Sequence, residues 1–133
     1  MERVGTPSVS VGTGDNANIV TFTFRAEVTA YGDQFFFSTD GETAFPDILV
    51  DQVANATATA VSINTNATLQ TTENVYRVNR NQTRTLDITV QVTKTSGSGL
   101  ARVTVPELVY GNDANDPTGE NVTLGAPDFR TVQ

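Results

Sequence analysis

The chain has no cysteine, no histidine and no tryptophan in 133 residues. Without cysteine it forms neither a disulfide nor a thiolate metal site, and the absence of cysteine says little about the compartment. Without histidine or cysteine it cannot build the usual histidine-assisted serine or cysteine nucleophile. No glycine-rich phosphate loop follows a strand pattern either. The composition therefore argues against the common catalytic arrangements.

Basic residues are scarce as well. The chain has 8 Lys plus Arg against 15 Asp plus Glu, which gives a formal net charge of −7. An acidic chain repels nucleic-acid phosphates and anionic membrane surfaces. No apolar run approaches the roughly 20 residues of a membrane span, and no signal-peptide pattern opens the chain. We therefore expect no nucleic-acid partner and no direct membrane insertion by this segment.

Two long alternations of apolar and polar residues dominate the pattern, at residues 19–28 and 86–92. A period of two with β-branched and aromatic residues predicts strands with one buried face. The predicted core consists of the following residues: Phe22, Phe24, Val28, Leu86, Ile88, Val90, Val92, Val103 and Val105.

The rest of the chain reads as further strands separated by turns at roughly ten-residue spacing, without a helical period. One long strand is expected over residues 100–110, with Pro106 as a bulge or edge device. The predicted fold is all-β, an antiparallel, immunoglobulin-like β-sandwich of eight to ten short strands. The length suits one domain. Residues 1–14 are predicted to be a flexible lead-in with an edge strand, and residues 15–133 the single domain.

Aromatic residues offer two interpretations. In the run Phe35-Phe36-Phe37, alternation places Phe35 and Phe37 on one face and Phe36 on the other. It predicts two rings in the core and Phe36 beneath a loop, or the reverse. The alternative is a carbohydrate-binding face, which needs exposed aromatic rings in one plane. The tyrosines available for such a face are Tyr31, Tyr76 and Tyr110.

The polar loop over residues 112–120 is the candidate metal site. Its carboxylates are Asp113, Asp116 and Glu120, accompanied by two Asn amides. Six to eight hard oxygen ligands are what calcium requires, so calcium is the candidate cofactor, rather than zinc. Acids from other turns could contribute, namely Asp15, Asp33 and Asp40. The alternative is that Asn, Asp, Pro and Gly simply form a turn here.

The carboxylates and the single lysine are the remaining groups that could carry chemistry. A carboxylate pair could in principle hydrolyse glycosides, and only Glu107 has apolar neighbours that would raise its pKa. We expect Glu107 to be solvated. Lys94, the single lysine, is the only possible donor for an isopeptide cross-link. Its place beside residues 95–97 predicts exposure. The chain is predicted not to be an enzyme.

Residues 76–78 and 82–92, with the run Thr83-Arg84-Thr85-Leu86, resemble a strand–turn–strand block of Ig-like domains in bacterial surface proteins. Residues 20–30 look like the matching inner strand. Similar blocks occur in export-linked proteins of small-genome bacterial lineages. The resemblance implies an Ig-like fold and an extracellular setting, and it carries over no functional residue.

The predicted function is a non-catalytic structural or adhesive domain of an extracellular or cell-surface protein, bacterial or archaeal. The alternatives are a carbohydrate-binding module and a calcium-stabilised surface module. The expected partner is a protein or a surface polymer, and strand addition at a sheet edge is one route for binding it.

Overall fold

The computed structural model describes residues 1–16, 18–51, 56–94, 100–123 and 131–132. Regular structure in these residues is antiparallel β-sheet with one four-residue helix, which confirms the all-β class. The described strands number twelve: β1 (Glu2–Val11), β2 (Ile19–Thr29), β3 (Phe35–Ser38), β4 (Leu49–Asp51), β5 (Ala56–Thr65), β6 (Thr68–Gln70), β7 (Val75–Val78), β8 (Thr83–Lys94), β9 (Leu100–Thr104), β10 (Glu107–Tyr110), β11 (Glu120–Thr123) and β12 (Thr131–Val132). The helix, α1, is Gly41–Ala44, and a 3-10 turn covers Gly14–Asn16.

The two long alternations form the centre of the fold. β2 and β8 pair along their whole length, with Phe22 opposite Val90 and Phe24 opposite Ile88. Their alternate side chains point into the core because successive residues of a strand face opposite sides. All nine predicted core residues are buried, none more than 2% exposed, which confirms the prediction.

β2 and β8 are flanked by two edge strands, in the order β1-β2-β8-β5. The pairing of β1 with β2 shifts register between Val4 and Ser8, where Gly5 has a φ of +70°. β5 shifts register between Ala58 and Ala60. Such bulges twist an edge strand and limit unwanted pairing with other sheets.

The segment predicted as one strand over residues 100–110 is two strands with different partners. β9 pairs with β4 and β12, whereas β10 pairs with β11. The chain changes sheets at Val105 and Pro106, because proline has no N–H to continue a β-ladder. This division is one reason why twelve strands replace the predicted eight to ten. A second is that residues 53–72, a stretch rich in Ala, Thr and Asn that the sequence predicts to be a strand and a loop, contain both β5 and β6.

The remaining strands bring a second set of apolar residues to the same core. Phe35 and Phe37 of β3 belong to the cluster formed by β2 and β8, together with Leu108 of β10. Phe36 is also buried but lies outside that cluster, as alternation predicted. Its backbone N–H and C=O form two hydrogen bonds of 2.8 Å with Gly111, which tie β3 to the end of β10.

Candidate functional site

The loop predicted to bind calcium has carboxylates that close its own turns. Asp113 Oδ1 accepts hydrogen bonds from the backbone N of Asn115 (2.9 Å) and from its side-chain Nδ2 (3.1 Å). Asp116 Oδ1 accepts from Thr118 N (3.4 Å) and Thr118 Oγ1 (3.1 Å). These are the local bonds by which Asp stabilises turns.

Glu120, the third predicted ligand, lies at the start of β11, opposite Tyr110. Across the described residues, no three acidic side chains form a group that could hold a metal ion. The three predicted ligands are therefore not brought together, and calcium binding stays a prediction. The additional acids also act locally: Asp33 accepts from Gln34 N (2.8 Å), and Asp40 caps α1 through Glu42 N.

Glu107 contacts another acidic residue, Asp47, which the sequence did not indicate. The Glu107 carboxyl is hydrogen-bonded to that of Asp47, and this contact raises the pKa of Glu107 above its ordinary value. Desolvation and the charge of Asp47 act in the same direction. Two carboxyls in contact resist simultaneous ionisation, so Glu107 holds its proton to higher pH.

The prediction that Lys94 is exposed is wrong. The side chain is only 7% exposed, and β8 continues through this residue. Lys94 follows Val90 and Val92 on the core-facing side of the strand, since alternate residues share a face. The sequence already indicated this burial, because Lys94 continues the apolar/polar alternation of residues 86–92 by one more step.

An open cavity of about 470 Å³ lies where β2 ends and β3 begins. Its lining residues belong to β1, β2, β3, β8, β10 and β11, to the segments between β2 and β3 and between β10 and β11, and to Met1 before β1. Its lining consists of Met1, Glu2, Glu27, Val28, Thr29, Ala30, Tyr31, Asp33, Phe35, Thr83, Tyr110, Asn112 and Val122.

The turn after β2 places Tyr31 at this cavity. Gly32 adopts a φ of +86°, a conformation that favours glycine, and the backbone N of Asp33 donates to the Tyr31 carbonyl (3.1 Å). Two more backbone hydrogen bonds tie the start of the turn, at Ala30, to the residues before β8. The Tyr31 side chain is left 85% exposed.

Tyr110 reaches the cavity from the end of β10. Its ring packs edge-on against Phe35, with centroids 5.2 Å apart and an interplanar angle of 62°. Phe35 contacts Phe37, which in turn contacts Tyr76, so four aromatic rings form a continuous row. Both tyrosines are visible in the sequence as available aromatic residues, but their shared cavity depends on the tertiary structure.

The polar part of the lining is acidic. It includes the acidic residues Glu2, Glu27 and Asp33, and no residue of the described lining is Lys or Arg. Glu27 lies on the outer face of β2, whereas Phe35 and Tyr110 lie on the core side. Glu2 lies directly opposite Glu27 in the β1–β2 pairing, an arrangement that is unfavourable for like charges. The hydroxyls of Thr29 and Thr83 lie 2.8 Å apart and share a hydrogen bond. The cavity is thus bordered by acidic and hydroxyl-bearing residues and by two aromatic rings.

The outer face of the four-stranded sheet carries a separate charged pair. Arg25 Nε and Nη2 donate to the two carboxylate oxygens of Asp87, at 2.7 and 2.8 Å. The hydrogen bond from Arg25 is the main reason that the pKa of Asp87 lies below its usual value. This bidentate contact joins two residues that lie directly opposite each other in the pairing of β2 with β8.

The chain matches no protein family, no curated protein and no solved structure at a significant level. In the part of the chain that the structure describes, no helix is both long enough and apolar enough to cross a membrane.

Proposed function

We propose that this chain is an immunoglobulin-like β-sandwich that serves as a non-catalytic structural or adhesive domain of an extracellular or cell-surface protein. The observation that supports it most is the shared core. Side chains of the β2–β8 sheet and of β3, β7, β9 and β10 belong to a single buried cluster. Packing of two antiparallel layers over one core is the architecture of such domains.

The edge strand β1 supports the adhesive part of the proposal. Its regular half, from Ser8 to Val11, pairs with β2 on one side and has no other strand beside it among the described residues. Val9 and Val11 remain 37% and 46% exposed. A partner strand added here would gain backbone hydrogen bonds and cover both side chains. The bulge at Gly5 restricts this addition to the second half of β1.

Two measurements test the proposal. Antibodies against the purified chain should label intact cells of the source organism as strongly as permeabilised cells. The purified chain should show no glycoside hydrolysis or group transfer against a substrate panel. Labelling only after permeabilisation contradicts the extracellular setting. An activity that is lost on Glu107→Gln or Asp47→Asn contradicts the non-catalytic role.

A carbohydrate-binding module is the second candidate function, and the cavity that Tyr31 and Tyr110 share favours it. A glycan array distinguishes the two candidates. Specific retention of a glycan favours the carbohydrate-binding module. A blank array, tested at high ligand density, favours the structural domain.

A further inference from the structure

We infer that the cavity beside Tyr31 and Tyr110 is a saccharide site that accepts neutral or amine-bearing sugars and discriminates against anionic ones. The inference rests on the carbohydrate-binding candidate and gives it a location and a ligand class. The size of the cavity, its aromatic rings and the charge of its lining support it.

The size of the cavity suits a small ligand. Its volume, about 470 Å³, lies within the range of small-molecule sites in proteins. The cavity is open to solvent, so a sugar at the end of a longer glycan could enter without being cut from the chain.

The aromatic rings supply apolar faces. Tyr31 is almost fully exposed, which leaves its ring available for the C–H groups of a sugar ring. Tyr110 is held by its contact with Phe35, so its orientation is set before a ligand arrives. Rings fixed in advance lose little conformational entropy when a ligand binds.

The polar lining complements sugar hydroxyls, which both donate and accept hydrogen bonds. The carboxylate of Asp33 accepts, while the Asn112 amide both donates and accepts. One oxygen of Asp33 already accepts from Gln34 N, and the other remains for a ligand.

The charge of the lining sets the selectivity. Three acidic residues, Glu2, Glu27 and Asp33, border the cavity without a Lys or Arg in its described lining, and the α-amino group of Met1 offsets one of their charges. A carboxylate or phosphate on the sugar would be repelled by this negative charge. A protonated amine on the sugar would be attracted by the same charge, and it could also lie against a tyrosine ring.

The test is a set of NMR titrations of the 133-residue chain at neutral pH with glucose, N-acetylglucosamine, glucosamine and glucuronic acid. Putrescine serves as a cation that is not a sugar. We expect shifts of the Tyr31, Tyr110 and Glu27 signals with at least one neutral or amine-bearing sugar. We expect glucuronic acid to bind at least about tenfold more weakly than glucose.

Variants of the lining locate the site. Tyr31→Ala should weaken binding about tenfold or more, while Tyr31→Phe, which keeps the ring, should retain most of it. Tyr110→Phe removes only a hydroxyl at the cavity, and Tyr76→Phe is its matched control at the far end of the aromatic row. Glu27→Gln should narrow the gap between glucose and glucuronic acid.

Each outcome decides the inference. A sugar that binds with Tyr31→Ala and Glu27→Gln unaffected overturns this site but leaves carbohydrate binding intact. Binding of glucosamine and putrescine without any neutral sugar shows a general cation site and overturns the inference. The absence of binding at millimolar concentration to all four sugars overturns both the site and the carbohydrate-binding candidate.

Discussion

At the scale of the residue, the stability of the fold depends on the apolar side chains that β2 and β8 bury. Phe24 is 1% exposed and lies opposite Ile88. We expect Phe24→Ala to lower the free energy of unfolding by about 3–5 kcal/mol, because it removes apolar contacts and leaves a cavity. Urea denaturation measures this. Thr23→Ala, the neighbour on the outer face, should cost about 1 kcal/mol or less, and equal losses would contradict the assigned faces.

The contact between the carboxyls of Glu107 and Asp47 leads us to expect that stability depends on pH. Because the pKa of Glu107 is raised in the folded chain, its contribution to stability is present below the pKa of the unfolded chain. That contribution is lost as the pH rises through the folded pKa. Asp47→Asn should return the pKa of Glu107 towards its ordinary value and reduce this loss. NMR titration of the Glu107 carboxyl measures the change, and Glu73→Gln, an exposed carboxylate elsewhere, is the control. An unchanged pKa in Asp47→Asn would show that Asp47 is not the cause.

At the scale of the element, the loop between β10 and β11 depends on one glycine. A Cβ at Gly111 would collide with the carbonyl of Asp116, whereas one at Gly119 would have its nearest neighbour, Asp116 Oδ2, at 3.8 Å. We expect Gly111→Ala to cost about 1–3 kcal/mol of stability through overpacking. Gly119→Ala should stay within about 0.5 kcal/mol. Thermal melts of both variants check the difference, and similar melting temperatures would show that the loop adapts freely.

Calcium binding by the same loop can be tested by thermal melts. Its Asp113 and Asp116 carboxylates already accept hydrogen bonds from their own turns. We therefore expect equal melting temperatures in millimolar calcium and in chelator. A clear rise with calcium would instead support the site predicted at Asp113, Asp116 and Glu120. Its size would follow mass action, about 2.7 kcal/mol at a hundredfold excess over Kd.

At the scale of the whole molecule, the shared core predicts one cooperative unfolding transition. Phe24 lies in the four-stranded sheet and Leu108 in β10, yet both belong to the same cluster. Phe24→Ala and Leu108→Ala should each shift the whole transition, with circular dichroism and tyrosine fluorescence changing together. Two separate transitions, each sensitive to one variant, would contradict a single shared core. A far-UV spectrum dominated by helix would contradict the fold class itself.

Much of the fold could be predicted because strand alternation is a local property. Phe22 and Ile88 could be assigned to the core from their neighbours alone. Lys94 could have been assigned to the core face as well, from the alternation before it, but the Ser- and Gly-rich sequence after it favoured exposure. The division at Pro106 was harder, because a proline marks a break without indicating which sheet each half joins.

The sequence by itself determined which faces of β2 and β8 are buried, since a period of two leaves no other arrangement for so many apolar residues. It also determined the acidic charge and the absence of the commonest catalytic groups. Only the tertiary structure decided that Tyr31 and Tyr110 line one cavity and that Asp47 meets Glu107. Those contacts join residues far apart in the chain, and they depend on strand register and on turn geometry, which composition and periodicity do not encode.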